Sequence, residues 1–212
     1  MIDQSLVCYS QANPSVAGRD VVLCLHGYGS APQAVAPFFR SLPEDALGVA
    51  LPGVFPMDDG QRGWFLLDYV LNHDFARITD AAGQIFDWQA THLAGARSIH
   101  LAGHSQGMAM ATTLYRLRPQ GYATIAGLSG FVLDNELLNL TDPTEQIPCF
   151  WGRDKLDLVI NPEAVSFTAD WVQRHTYCTV RTYDEATHAI TEAQLRDLRA
   201  FWGYYLSDPS RH

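Results

Sequence analysis

The 212-residue sequence has few charged residues and no long apolar run, and both shortages exclude whole classes of protein. Charged residues make up 17% of the chain and apolar residues 47%, which excludes a disordered or coiled-coil composition. The longest apolar runs, VVLCL and LGVAL, are too short to cross a bilayer. We therefore expect a single domain, residues 1–212, with no stable membrane insertion.

Positive charge is also scarce. The chain has 14 Lys and Arg against 23 Asp and Glu, a formal net charge of −9, and no basic block. This balance argues against nucleic acid as a partner. The first ten residues, MIDQSLVCYS, lack the basic and apolar regions of a signal peptide. We therefore expect a cytoplasmic protein.

Cysteine is sparse and has no metal-binding spacing. The chain has four cysteines and no C-x-x-C pair: Cys8, Cys24, Cys149 and Cys178. Three of them lie in apolar, strand-like runs. The pattern predicts reduced thiols, mostly buried, in a reducing compartment and no zinc site.

What the sequence does contain is an alternation of strand-like and helix-like segments. Near-continuous apolar runs predict strands over 21–27, 47–51, 98–103, 123–130, 147–152 and 177–183. Apolar spacing and end signals predict helices over 32–42, 106–117 and 162–175. A further predicted helix begins at Asn72 or Asp74 and runs to about residue 96. A last helix follows a capping box at Thr191–Gln194. Uniformly apolar strands are typical of a sheet buried on both faces. We predict a mostly parallel central sheet with helices on both faces.

The stretch SIHLAGHSQGMAM places a serine where a predicted strand ends and a predicted helix begins. Gly103-His104-Ser105-Gln106-Gly107 fits the Gly-x-Ser-x-Gly nucleophile elbow, whose glycines allow a very sharp turn. The helix N-terminus that follows favours a developing negative charge. The alternative is an ordinary turn, and we interpret Ser105 as the nucleophile.

A serine nucleophile needs a base and an acid, in the chain order serine, acid, histidine. Three histidines follow Ser105. His175 ends a predicted helix and His212 ends the chain, whereas His188 lies in a loop between the last strand and the last helix. We predict His188 as the base. For the acid, the segment after CFWG offers Asp157, which we favour, and Asp154, which stays open.

The oxyanion of the tetrahedral intermediate needs two backbone donors. One predicted donor is the N–H of Gln106, directly after the nucleophile. The other is the N–H of Tyr28 in LHGYGS, the loop after the first buried strand.

Two aromatic residues in the irregular segment 52–74, Trp64 and Phe65, have two interpretations. They line the site of substrate binding, or they close the core. Residues 131–140 either line an acyl pocket or form a short packed helix, and we favour the helix. His26 and His104 flank the predicted site, and we expect structural roles for them.

Together these segments resemble the phospholipase/carboxylesterase family of the α/β-hydrolase superfamily, which includes acyl-protein thioesterases and small bacterial carboxylesterases. The resemblance is carried by LHGYGS, GWF, LAGHSQGMAMA, GLSGF, FWGRDKLDLVI and THA, in this order over most of the chain. The chain departs from the family at Trp151, where a histidine is usual, and at Leu158, where a proline is usual. Both departures flank the two candidate acids.

The resemblance implies the α/β-hydrolase fold with a minimal lid or none, a Ser105–Asp157–His188 triad, donors at Tyr28 and Gln106, and neither metal nor cofactor. It implies a serine carboxylesterase that acts on a small-molecule ester or thioester through an acyl-enzyme. Lysophospholipase or acyl-protein thioesterase activity is the alternative, and a non-catalytic ligand-binding relative is a more distant one. The sequence leaves homodimer formation open.

Overall fold

A seven-stranded sheet forms the centre of the molecule. The computed structural model describes residues 1–12, 14–67, 74–185 and 187–206. The strands of this part of the chain are β1 (Cys8–Tyr9), β2 (Asp20–Leu25), β3 (Leu47–Leu51), β4 (Phe55–Pro56), β5 (Arg62–Gly63), β6 (Ser98–His104), β7 (Ile125–Leu128), β8 (Ile147–Asp154) and β9 (Thr176–Tyr183). The large sheet has the order β1-β3-β2-β6-β7-β8-β9, and β4 pairs with β5 in a separate hairpin. Among the described strands of the large sheet, β1 pairs antiparallel with β3 and the other pairs are parallel.

Helices cover both faces of the sheet. They are α1 (Phe75–His92), α2 (Gln106–Leu117), α3 (Glu136–Asn139), α4 (Pro162–His175) and α5 (Glu192–Tyr205). Alternate residues of β2 belong to two separate cores, one shared with α1, α2 and α4 and the other with α5. Strand β2 is therefore buried on both sides, as its apolar sequence requires, whereas the edge strand β9 is partly exposed. The predicted fold class is confirmed.

The predicted helix over 32–42 is wrong in type. Pro32–Ser41 is a 3₁₀ segment with Pro37 inside it. Proline has no N–H to donate to the preceding turn, so a regular α-helix cannot run through this position. The segment still buries Val35 and Phe38 against the α5 side of the sheet.

Helix α1 begins as predicted and ends early. The Asp74 carboxylate accepts hydrogen bonds from the N–H groups of Ala76 and Arg77. The alternative cap, Asn72, lies outside the described residues. The helix ends at His92 rather than near 96, because the chain turns at Gly95, whose carbonyl accepts a hydrogen bond from the Gly18 N–H.

The predicted and observed limits of three further elements, α5, α3 and β8, can also be compared. The predicted capping box of α5 is confirmed, since Thr191 and Gln194 bond each other's backbone N–H groups. The short helix α3 lies within 131–140, as favoured. Strand β8 runs two residues past its predicted end, to Asp154, which pairs with Tyr183 of β9. The two-residue strands β1, β4 and β5 were not predicted, because they are too short to show any periodicity.

The carboxyl ends of β2, β6 and β8 meet at one edge of the sheet, beside the loop that follows β9. His26, Ser105 and Asp157 follow these three strand ends and His188 follows β9, at the edge where ligands of parallel sheets bind. No helix in the described ranges is long and apolar enough to cross a membrane.

Candidate active site

Ser105 lies at a strained turn between β6 and α2. Its φ of 54° and ψ of −122° are outside the regions that a serine prefers. The turn is held from behind, because the Ser105 N–H donates to the Leu128 carbonyl of β7 at 3.1 Å. Strain of this kind concentrates at functional sites, where the surrounding structure keeps it in place.

Two glycines make this turn sterically feasible. A Cβ on Gly103 would lie 2.2 Å from the carbonyl carbon of Gly107, and a Cβ on Gly107 would lie 1.9 Å from the Leu25 carbonyl oxygen of β2. Both separations are far below any van der Waals contact. Only glycine at both positions allows the first turn of α2 to lie against the end of the sheet.

Hydrogen bonds link Ser105, His188 and Asp157 in a row. The Ser105 Oγ and the His188 Nε2 are 2.9 Å apart. On the other side of the ring, the His188 Nδ1 and the Asp157 Oδ2 are 2.7 Å apart. The carboxylate only accepts, so the imidazole proton lies on Nδ1 and the Nε2 lone pair faces the serine hydroxyl.

The Asp157 carboxylate is fixed by its own backbone. Its Oδ1 accepts the Val159 N–H at 2.8 Å and the Ile160 N–H at 3.4 Å, which leaves Oδ2 for His188. The Asp157 side chain is 6% exposed and the His188 side chain 22%. The Asp157 carboxylate is therefore shielded from water, while the imidazole stays accessible.

Asp154, the alternative acid, contacts a different part of the histidine loop. It is fully buried at the end of β8, and its Oδ1 accepts the Glu185 N–H at 2.8 Å. Within the described residues its Oδ2 has no hydrogen-bond partner. The structure thus brings Asp157 to the imidazole and uses Asp154 to anchor the loop that carries it.

His104 holds the same loop from the serine side. Its Nε2–H donates to the His188 carbonyl oxygen at 2.7 Å, and the two ring centroids are 5.1 Å apart. Burial lowers the pKa of His104 to about 4, so the ring is neutral at physiological pH. His188 is therefore held at its ring by Asp157 and at its backbone by His104.

The other candidate histidine in the described part of the chain, His175, forms its hydrogen bond elsewhere. The His175 Nδ1–H donates to the Pro143 carbonyl at 3.0 Å, at the far end of α4. His212 lies outside the described residues.

The loop after β2 passes directly beside Ser105. Strands β2 and β6 are parallel, with Leu25 paired to Gly103, so the segments that follow them emerge side by side. A Cβ on Gly27 would lie 3.3 Å from the Ser105 Cβ. Tyr28 comes next in this loop. Gln106 is the first residue of α2, so its N–H has no partner within the helix and carries the positive end of the helix dipole.

His26 fixes the shape of this loop. Its buried ring accepts the Gly53 N–H at Nε2, 2.9 Å away, and its Nδ1–H donates to the Gly27 carbonyl at 2.7 Å. Burial lowers the pKa of His26 to about 4, which keeps the ring in this neutral form. In the sequence, the one feature that indicated a structural role for His26 was its position directly before Gly27.

Gln106 has a second contact that the sequence did not reveal. Its side-chain Oε1 accepts the Trp64 N–H at 3.0 Å, and its Nε2 donates to the Phe65 carbonyl at 2.7 Å. Trp64 is 1% exposed and Phe65 2%, and the Trp64 Nε1–H donates to the His26 carbonyl. This burial favours the interpretation in which the two aromatic side chains close the core beneath the site.

An apolar rim lies beside Asp157. We use this name for Leu156, Leu158 and Val159, which flank Asp157 and are strongly exposed, Leu158 to 97%. Large exposed aliphatic side chains beside a reactive group favour contact with an apolar part of a ligand. In the described ranges no group of three or more His, Cys, Asp or Glu side chains is placed to hold a metal ion.

Comparisons with known proteins show which family and which solved structures the chain is similar to. A family model described as phospholipase/carboxylesterase matches residues 8–206. Esterase PE8 is 23% identical, with a TM-score of 0.74 over 92% of this chain and 97% of that chain. Acyl-protein thioesterase 2 of Zea mays is 16% identical, with a TM-score of 0.74 over 94% and 98%. A carboxylesterase from Mesorhizobium loti is 21% identical, with a TM-score of 0.72 over 88% and 89%. No curated protein sequence matches the chain significantly.

Proposed function

Since the chain belongs to the phospholipase/carboxylesterase family, whose model covers residues 8–206, we propose that it is a serine hydrolase that cleaves carboxylic esters. Ser105 is the nucleophile, His188 the base and Asp157 the acid. One observation carries the proposal: the imidazole bridges hydroxyl and carboxylate with hydrogen bonds of 2.9 and 2.7 Å.

The first half-reaction forms an acyl-enzyme. The Ser105 Oγ attacks the ester carbonyl carbon while its proton passes to the His188 Nε2. Asp157 keeps the His188 proton on Nδ1 and stabilises the imidazolium. As the tetrahedral intermediate collapses, the C–O bond to the alcohol breaks, and the alcohol leaves with the proton from Nε2. Water then repeats the attack, which releases the acid and restores the serine.

The negative oxygen of the intermediate rests on the N–H groups of Tyr28 and Gln106. Support for this assignment comes from the closeness of Gly27 to Ser105 and from the position of Gln106 at the start of α2. The Gln106 side chain is already bound to the backbone of Trp64 and Phe65. The Trp64–Phe65 backbone accordingly holds Gln106 in place, and the two buried aromatic side chains close the core beneath the proposed oxyanion site.

The substrate class follows from the apolar rim. Leu156, Leu158 and Val159 offer aliphatic surface to the acyl or alkyl part of an ester. The same surface favours one second candidate, the hydrolysis of long-chain thioesters or lysophospholipids. The proposed setting is cytoplasmic, without a cofactor and without a nucleic-acid partner.

A substrate panel with matched variants tests the proposal. The panel comprises aryl esters of increasing chain length, acyl-CoA thioesters and a lysophosphatidylcholine, each with wild type and Ser105→Ala. We expect turnover of esters, and a loss of about 10⁴- to 10⁶-fold in kcat for Ser105→Ala. Ser98→Ala, in the same strand, is the control and should retain the wild-type rate.

A serine-directed phosphonate separates hydrolysis from mere binding. It should label Ser105 in the wild type and leave Ser105→Ala unlabelled. Undiminished hydrolysis by Ser105→Ala, or failure of the phosphonate to label Ser105, would refute the assignment and favour a ligand-binding role.

A further inference from the structure

Two cysteines lie opposite each other on neighbouring strands, away from Ser105. Cys149 of β8 and Cys178 of β9 are direct partners in the parallel register. Neighbouring strands lie about 4.8 Å apart, and a disulfide needs a Cα separation of about 4.4 to 6.8 Å. Directly opposite residues also point to the same face of the sheet. The backbone already places these two thiols where one bond could join them.

The two thiols differ in access. Cys149 is fully buried, whereas Cys178 is partly exposed. Cys178 lines a surface cavity of about 430 Å³ against α4, together with Trp151, Val172, Thr176 and Val180. A small oxidant can therefore reach Cys178 first, and Cys149 lies directly behind it.

The surroundings of Cys178 favour its thiolate. The neighbouring Cys149 thiol lowers the pKa of Cys178, although burial acts against it. The other partly exposed cysteine, Cys8, has its pKa raised by burial. A thiolate is the form that reacts with oxidants and alkylating agents.

We propose that Cys149 and Cys178 form an oxidation site, at which hydrogen peroxide converts the two thiols to an intramolecular disulfide. The Cys178 sulfur attacks one peroxide oxygen, the O–O bond breaks, and the departing hydroxide takes up a proton to become water. The Cys149 sulfur then attacks the Cys178 sulfenic acid, the S–S bond forms, and a second water leaves. Peroxide is reduced by two electrons and the dithiol is oxidised by two. A thiol reductant reverses the reaction.

The site is independent of the proposed hydrolysis, although it lies on the strands that carry its residues. The chain beyond β8 leads to Asp157, and the chain beyond β9 leads to His188. The disulfide would join the two strands from which the acid and the base are presented.

Peroxide treatment of the reduced, full-length protein tests the proposal. After treatment the remaining thiols are alkylated in denaturant, and the products are mapped by mass spectrometry without reduction. We expect a loss of two hydrogens, a cross-linked peptide pair containing Cys149 and Cys178, and recovery of both thiols with dithiothreitol. In Cys149→Ser, dimedone should trap a sulfenic acid at Cys178. Cys8→Ser is the matched control and should still form the cross-link.

A competition in the wild type keeps the proposal testable if a variant fails to fold. With limiting iodoacetamide at neutral pH and without denaturant, Cys178 should be alkylated at least about tenfold faster than Cys8. Faster alkylation of Cys8, or peroxide oxidation of Cys178 to oxyacids without the Cys149 cross-link, would overturn the proposal.

Discussion

His104→Phe tests directly how His188 is held in place. The substitution keeps an aromatic ring beside His188, where the centroids are now 5.1 Å apart. It removes the Nε2–H that donates to the His188 carbonyl at 2.7 Å. Because burial lowers the pKa of His104 to about 4, the group lost at neutral pH is an uncharged donor. The variant therefore changes one hydrogen bond and leaves the charge of the site as it is.

The size of the effect follows from that hydrogen bond. A neutral hydrogen bond contributes a net ~0.5–1.5 kcal/mol, and a carbonyl left without a partner costs ~1–3 kcal/mol. Each 1.36 kcal/mol of barrier is about a factor of ten in rate. Without this hydrogen bond the His188 imidazole is less well placed against the Ser105 hydroxyl. If the lost free energy raises the reaction barrier, kcat falls by about ten- to a hundredfold. KM should change little, because His188 acts on the proton in the transition state.

The assay is steady-state kinetics on an aryl ester, with thermal unfolding to show that each variant is folded. His104→Gln is the matched control, because its side-chain amide can still donate to the His188 carbonyl, and it should recover part of the lost kcat. A folded His104→Phe with wild-type kcat, or with a raised KM alone, would show that His104 does not position the base.

Three further changes have outcomes set by the geometry. Asp157→Ala should lower kcat by about 10⁴-fold, whereas Asp154→Ala should lower kcat less and mainly destabilise the fold, as kinetics and denaturant titration together would show. Burial lowers the pKa of His26 from 6.5 to about 4, so the stability it supports is complete above pH 6.5 and declines as the pH falls towards 4. His26 should account for about 3 kcal/mol of the free energy of unfolding lost over that window. His104 adds its own loss, because its pKa is lowered in the same way, so His26→Gln should make the decline shallower without removing it; equal slopes would contradict this. Gly107→Ala would place a Cβ 1.9 Å from a backbone oxygen and should cost ~3 kcal/mol or more with loss of activity, whereas Gly83→Ala in α1 meets no atom within 4 Å and should stabilise by ~0.5–1 kcal/mol.

The sequence alone predicted the fold because its strands and elbow carry local signals. Uniformly apolar strands require burial on both faces. Gly103 and Gly107 are required because a side chain at either position would clash with backbone beside the elbow. Patterns of this kind are visible in a window of a few residues. The segment Pro32–Ser41 was predicted as a helix from its apolar spacing, but Pro37 prevents a regular α-helix there, and the segment is 3₁₀.

The choice between the two acids could not be made from the sequence. Asp154 and Asp157 are three residues apart, and both follow the same apolar run. What separates them is the length of β8, which pairs as far as Asp154 with Tyr183 and so buries that carboxylate beside the sheet. Strand ends depend on the partner strand, and a single strand's sequence does not contain that information.

The roles of Trp64 and Phe65 were open for a related reason. Their backbone is fixed by the side chain of Gln106, more than forty positions away in the chain. Glutamine after the nucleophile predicts an oxyanion donor through its backbone, but its side chain has no local signature. Contacts between distant side chains and backbone are set by packing, which the sequence pattern does not show.

The elbow combines these observations into one physical account. A turn that exposes the Ser105 hydroxyl also fixes its two neighbours in space, one on each side. The residue before it, His104, bonds the backbone of His188, and the residue after it, Gln106, bonds the backbone of Trp64 and Phe65. The strain at φ 54° is therefore compensated by bonds on both sides of the serine. Three consecutive residues, 104 to 106, thus contact two distant segments of the chain, the loop that carries His188 and the segment at Trp64–Phe65.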